Sequence, residues 1–140
     1  IRALVDAGIP VMGHVGFTPQ SVHALGGFKV QGRGEAADKI LQDCLAIQQA
    51  GAFAVVLEMV PAELAARITK ELTIPTIGIG AGNQTDAQIL VWTDFAGLGE
   101  KSPSFAKQYL NLRASLMDAA QSYRAEIQSG EFPAADKNFS

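Results

Sequence analysis

Glu58 and His14 are the side chains of this sequence best placed for acid–base chemistry. Glu58 sits near the end of Ala52-Phe53-Ala54-Val55-Val56-Leu57-Glu58-Met59-Val60-Pro61, a short apolar run rich in β-branched residues that stops at a proline. That pattern predicts a strand buried on both faces, as in a parallel sheet. A lone carboxylate there is costly unless a neighbour neutralises it or a pocket mouth receives it. Parallel α/β folds bind ligands at the carboxy-terminal ends of their strands, so the position favours chemistry over a structural ion pair with a Lys or Arg. His14 falls in a second such run, Ile9-Pro10-Val11-Met12-Gly13-His14-Val15-Gly16. It is either a group that hydrogen-bonds a substrate or Glu58, or a structural histidine satisfied by backbone.

Other polar residues carry less. His23, Lys29 and Arg33 lie in a glycine-rich stretch from Val22 to Gly34, long for a loop in a compact domain. Lys29 and Arg33 could steer an acidic ligand, or could make loop and subunit contacts. His23 reads as a surface residue. No G-x-G-x-x-G follows the first strand, which removes a dinucleotide site. Gly78, Gly80 and Gly82 read as close-packing and turn residues, and Asp86 as the cap of a following helix. Cys44 is expected in the core.

The elements that must position these groups follow from periodicity. Leu4, Val5 and Gly8 look like the last turns of a helix, which predicts a piece of a longer chain. Thr18 or Ser21 could cap a short helical turn after the first strand. Residues 35–50 have a helical period and stop at Gly51. Pro61 opens a helix to Leu72, with acid early and base late. Pro75 to Gly80 reads as a strand. Residues 88–93 fit helix or strand, with a short helix after Asp86 and then a strand near Val91 preferred. Residues 94–99 read as loop. From Ser102-Pro103, apolar residues recur at helical spacing to Gly130, their aromatic and leucine positions expected in a core or a subunit interface, and 131–140 reads as an extended arm.

Strand and helix alternate, so the fold class is α/β with a parallel sheet: half of an eight-stranded barrel or a small open sheet, with the helix-tail beginning tipping the balance to the half-barrel. The site groups His14 and Glu58 and the loop after Gly80 should then share one end of the sheet. Val11, Val15, Val55, Leu57, Ile77 and Ile79 are expected on the inner face of the barrel. The chain has 140 residues, 48% of them hydrophobic and 18% charged, with a net charge of -3, enough for one domain with a core. No basic block favours nucleic acid or an anionic membrane, and no apolar run approaches a membrane span. A single cysteine points to a reducing compartment, the cytoplasm.

Four blocks in order carry a resemblance. Gly13-His14-Val15-Gly16-Phe17-Thr18-Pro19-Gln20, then Gly26-Gly27-Phe28-Lys29-Val30-Gln31-Gly32-Arg33, then Leu57-Glu58-Met59-Val60-Pro61, then Ile74-Pro75-Thr76-Ile77-Gly78-Ile79-Gly80-Ala81-Gly82 resemble the motifs of the ketopantoate hydroxymethyltransferase (3-methyl-2-oxobutanoate hydroxymethyltransferase) family. The resemblance covers residues 1–139 and implies the carboxy-terminal half of a (β/α)8 TIM barrel over residues 1–140, the amino-terminal half being absent. It implies hydroxymethyl transfer from 5,10-methylenetetrahydrofolate to 3-methyl-2-oxobutanoate, in pantothenate synthesis, by a homodecamer. Glu58 would be the base that takes the C3 proton, and His14 a substrate-binding residue. Mg2+ would bind the oxo acid through acids in strands outside these residues, so no metal ligand is expected here. The half alone would be inactive. The alternatives are a truncated, non-catalytic barrel module, or another Mg2+-dependent enzyme making or breaking C–C bonds of α-keto acids. Trp92-Thr93-Asp94-Phe95-Ala96-Gly97-Leu98 departs from the family's W-H-D-[ML]-L-G-[LI], and Asp86-Ala87-Gln88 from its D-G-Q. Those departures bear on folate contacts more than on the reaction.

Overall fold

A computed structural model of the chain describes every residue except Ala24, Leu25, Gly26, Phe28, Ala135 and residues 137–140. The described chain forms two compact units, Ile1–Ile89 and Leu90–Ser140.

The first unit holds α1 (Arg2–Asp6), β1 (Met12–Gly16), a 3-10 turn (Pro19–Ser21), α2 (Ala36–Gln49), β2 (Ala54–Glu58), α3 (Ala62–Glu71), β3 (Thr76–Ile79) and β4 (Ala87–Gln88). All strand pairs are parallel and the order is β1-β2-β3-β4, so each strand neighbours the one before it in sequence. The expected helices and the first three strands are present with ends shifted by a few residues. Thr18 stands at the start of the 3-10 turn but its side chain caps nothing.

The core lies between the sheet and α2 and α3. Val15, Val55 and Leu57 pack there with Leu41, Cys44, Leu64, Ala65 and Ile68. This corrects the expected faces: Val15, Val55 and Leu57 point at the helices, not at a barrel interior. A Cβ on Gly13 would stand 2.4 Å from Ile47 of α2, which fixes the same parity for β1. Side chains alternate along a strand, so Met12, His14, Ala54, Val56, Glu58, Ile77 and Ile79 share the other face.

Two local expectations give way around β4. The strand comes first, at Ala87–Gln88, and the short helix α4 (Trp92–Phe95) follows. Asp86 caps no helix: its carboxylate accepts from the Thr76 backbone N–H at 2.8 Å and from the Thr76 hydroxyl at 3.0 Å. Tying 86 to the start of β3 extends the chain beyond it, and β4 pairs with β3.

The second unit contains α4 and α5 (Leu112–Ser129). α5 begins ten residues after the expected start. Tyr109 N–H donates to the Phe95 carbonyl at 2.8 Å and Leu112 N–H to the Ala96 carbonyl at 2.9 Å, so these donors are committed outside a helix. Asn111 caps α5 through its side-chain oxygen, and Gly130 ends it in the left-handed conformation. α5 buries none of its residues, so its apolar positions are not core positions. Ala135 and residues 137–140 of the expected terminal arm lie outside the described residues.

Candidate active site

Register places the candidate residues. Gly16 pairs with Glu58 and Glu58 with Ile79, so the ends of β1, β2 and β3 form one rung and the loop after Gly80 leaves from it. His14 lies on the same face as Glu58, one alternation earlier. The expected gathering of His14, Glu58 and that loop at one sheet end is met.

The two side chains touch. His14 Nε2 lies 3.0 Å from Glu58 Oε2, with the side chains 32% and 15% exposed. Yet Nε2 is itself buried and makes no hydrogen bond. The pair stands at ion-pair distance without the geometry of a hydrogen bond. Among the described residues no Lys or Arg pairs with Glu58. Its partner among the described residues is a histidine at a strand end.

The backbone around Glu58 is held from three directions. The Glu58 carbonyl accepts from Phe17 N–H at 2.8 Å. Met59 N–H donates to the Ile79 carbonyl at 2.9 Å, and the Met59 carbonyl accepts from Gln31 N–H at 2.9 Å. Part of the glycine-rich stretch thus serves to fasten the carboxylate-bearing turn. Sequence reasoning did not find Gln31 or Met59 in this role. The one local cue, a bulky residue between Glu58 and Val60, does not reveal that Met59 has a positive φ of 49°.

Lys29 and Arg33 are exposed, as is His23. Gln31 donates from its side chain to the Lys29 carbonyl. Cys44 is wholly buried, and burial, with a smaller contribution from Asp43, pushes its thiol pKa up to about 12. That marks a core residue, not a nucleophile. Among the described residues no group of three or more His, Cys, Asp or Glu side chains is placed to hold a metal ion. The His14–Glu58 pair offers too few ligands for a Mg2+ ion, which seeks near-octahedral oxygen coordination. The residues present do not fit a metal site of their own.

A family model described as ketopantoate hydroxymethyltransferase matches residues 1–135. The chain belongs to the ketopantoate hydroxymethyltransferase family. Proteins named 3-methyl-2-oxobutanoate hydroxymethyltransferase from Leifsonia xyli, Frankia casuarinae and Corynebacterium glutamicum are 59%, 57% and 59% identical to it over 140 residues. Each match covers 99% of this chain and 50%, 47% and 52% of the relative, respectively. The chain spans about half the length of the curated relatives it matches. The family motifs quoted above fall on the site-bearing segments: the Gly-His block is β1 and its exit, and the Leu-Glu block is the end of β2. Gly26 and Phe28 of the Gly-Gly-Phe block lie outside the described residues; its other residues are described. The departure at Trp92-Thr93-Asp94-Phe95 forms α4. No helix of the described chain is long and apolar enough to cross a membrane.

Proposed function

We propose that this chain is the carboxy-terminal half of a (β/α)8 barrel that transfers a hydroxymethyl group from 5,10-methylenetetrahydrofolate to 3-methyl-2-oxobutanoate, with Glu58 as the general base. The observation that carries the reading is the Glu58 carboxylate: at a strand end, mostly buried, beside His14 and paired with no Lys or Arg among the described residues. The names of the relatives supply the reaction. The strand order β1-β2-β3-β4, without the reversal of a doubly wound sheet, supports the barrel.

Glu58 removes the C3 proton of the keto acid, and the resulting enolate carbon forms a bond to the methylene carbon carried by the folate. Both bonds from the methylene carbon to folate nitrogens break, water supplies the hydroxyl to that carbon, and the C3 proton and the remaining water proton end on the two nitrogens, so the products are ketopantoate and tetrahydrofolate. A C–H beside a carbonyl is weakly acidic, and a base held within reach of it lowers the barrier to that step. His14, whose buried Nε2 lacks a hydrogen-bond partner, holds an oxygen of the keto acid. Mg2+ belongs to the part of the barrel outside these residues, and nothing in the steps above passes through it. The full-length protein works as a homodecamer in the cytoplasm, a compartment that suits a lone buried thiol. Half a sheet leaves strand edges open and calls for the rest of the barrel, so these residues alone are inactive.

The test is NMR exchange of the C3 proton of 3-methyl-2-oxobutanoate in D2O without folate. In the full-length protein that carries this chain, Glu58→Gln abolishes exchange and leaves keto acid binding nearly unchanged. Exchange near the parent rate would remove Glu58 from the base role. A folded parent protein with no exchange would instead support a non-catalytic module.

A further inference from the structure

The residue after the proposed base has a backbone that strands do not have. Met59 adopts a φ of 49° and is the only non-glycine residue with positive φ among the described residues. Non-glycine side chains avoid this region, and a residue held there needs surroundings that over-determine it. Both of its peptide groups are so held: its N–H by Ile79 and its carbonyl by Gln31, each at 2.9 Å, while Phe17 holds the Glu58 carbonyl one peptide earlier.

The consequence lies in side-chain parity. In an unbroken strand, Glu58 and Val60 would point to the same face. Instead Val60 is 2% exposed and belongs to the helix-side core with Leu57 and Leu64. The left-handed step at Met59 turns Val60 into the core while Glu58 stays on the opposite face beside His14. The carboxylate is thereby flanked by two core anchors, Leu57 before it and Val60 after it.

Resting on the reading of Glu58 as the base, we infer that Met59 is a positioning residue: its left-handed backbone, clamped by Ile79 and Gln31, sets where the Glu58 carboxylate stands. Its side chain does not carry the role; its φ does. Asn and Gly tolerate this conformation, whereas a β-branched residue resists it. Substitutions at Met59 therefore rank by backbone tolerance and not by size or apolarity.

The experiment compares Met59→Asn, Met59→Gly and Met59→Ile in the full-length protein, with kcat and KM for C3 proton exchange measured over a range of keto acid concentration. Met59→Ile lowers kcat by about 10–100-fold, the range expected from a displacement near an ångström, and leaves KM close to the parent value. Met59→Asn and Met59→Gly keep kcat near the parent value. Gln31→Pro, which deletes the N–H held by the Met59 carbonyl from a loop outside the core, lowers kcat without raising KM and serves if Met59→Ile does not fold. The inference is overturned if the folded Met59→Ile or Gln31→Pro protein exchanges at the parent rate, or if Asn is as damaging as Ile. Glu58→Gln runs in parallel: its full activity would sink the base assignment, while an inactive Glu58→Gln beside an unimpaired Met59→Ile sinks only the positioning role.

Discussion

Gly16→Ala tests the placement of the site through a contact of backbone with backbone. Gly16 has a φ of +91°, and a Cβ built there stands 2.1 Å from the Glu58 carbonyl oxygen and 2.8 Å from Val60 Cγ1. Neither neighbour yields easily, because that carbonyl also accepts from Phe17 N–H at 2.8 Å and Val60 is buried in the core. The left-handed backbone costs a residue with a Cβ about 1–2 kcal/mol. Overpacking against fixed atoms adds about 1–3 kcal/mol. The sum, about 2–5 kcal/mol, is a large share of a domain's stability of roughly 5–15 kcal/mol. Gly8→Ala is the control: its φ is +80°, and a Cβ there meets nothing within 4 Å, so it bears the backbone cost alone. Urea denaturation of the full-length variants, followed by far-UV circular dichroism, measures both. The midpoint of Gly16→Ala falls well below that of Gly8→Ala with the slope unchanged. Proton exchange at C3 falls with it, because the clash displaces the Glu58 peptide. Equal losses in the two variants would mean that Gly16 does not press on the Glu58 backbone, and the reasoning that joins β1 to the site would fail.

Three further outcomes are expected. His14→Ala raises KM for the keto acid in the exchange assay more than it lowers kcat; a pure kcat effect would remove His14 from substrate binding. Thr76→Val costs about 1–3 kcal/mol in the same denaturation assay, because the buried Thr76 hydroxyl links Asp86 to Thr69, and a loss within error would discount that network. Cys44 resists thiol reagents until the protein unfolds. Its folded pKa is raised from 9.0 to about 12, so its contribution to stability is complete below pH 9 and is lost as pH rises toward 12. Cys44→Ala accordingly flattens the alkaline limb of the stability profile, and an unchanged limb would refute the assignment.

The amino-acid sequence alone determined the order of elements as far as β3 and the chemistry on offer. Helical period, Gly51 and Pro61 mark α2, β2 and α3 because these signals act within a few residues of one another. Glu58 stood out because a charge in an apolar run is costly wherever that run is buried. The family was legible in blocks of local sequence that fall on β1, the glycine-rich loop, the end of β2, and β3 with the turn that follows it. What remained for the tertiary structure was every choice between partners distant in the chain. Alternation showed that Val55 and Val56 face opposite ways, but only the packing of α2 and α3 decided which one meets the helices. Asp86 could cap the next helix or reach back to Thr76, and the nearby pairing of β3 with β4 selected the second. The start of α5 moved to Leu112 because Tyr109 and Leu112 donate to carbonyls of the Phe95–Ala96 turn. Met59 is the sharpest case. Its preferred local conformation is not left-handed, and hydrogen bonds from Gln31 and to Ile79, residues 28 positions before it and 20 after, hold it there beside the carboxylate.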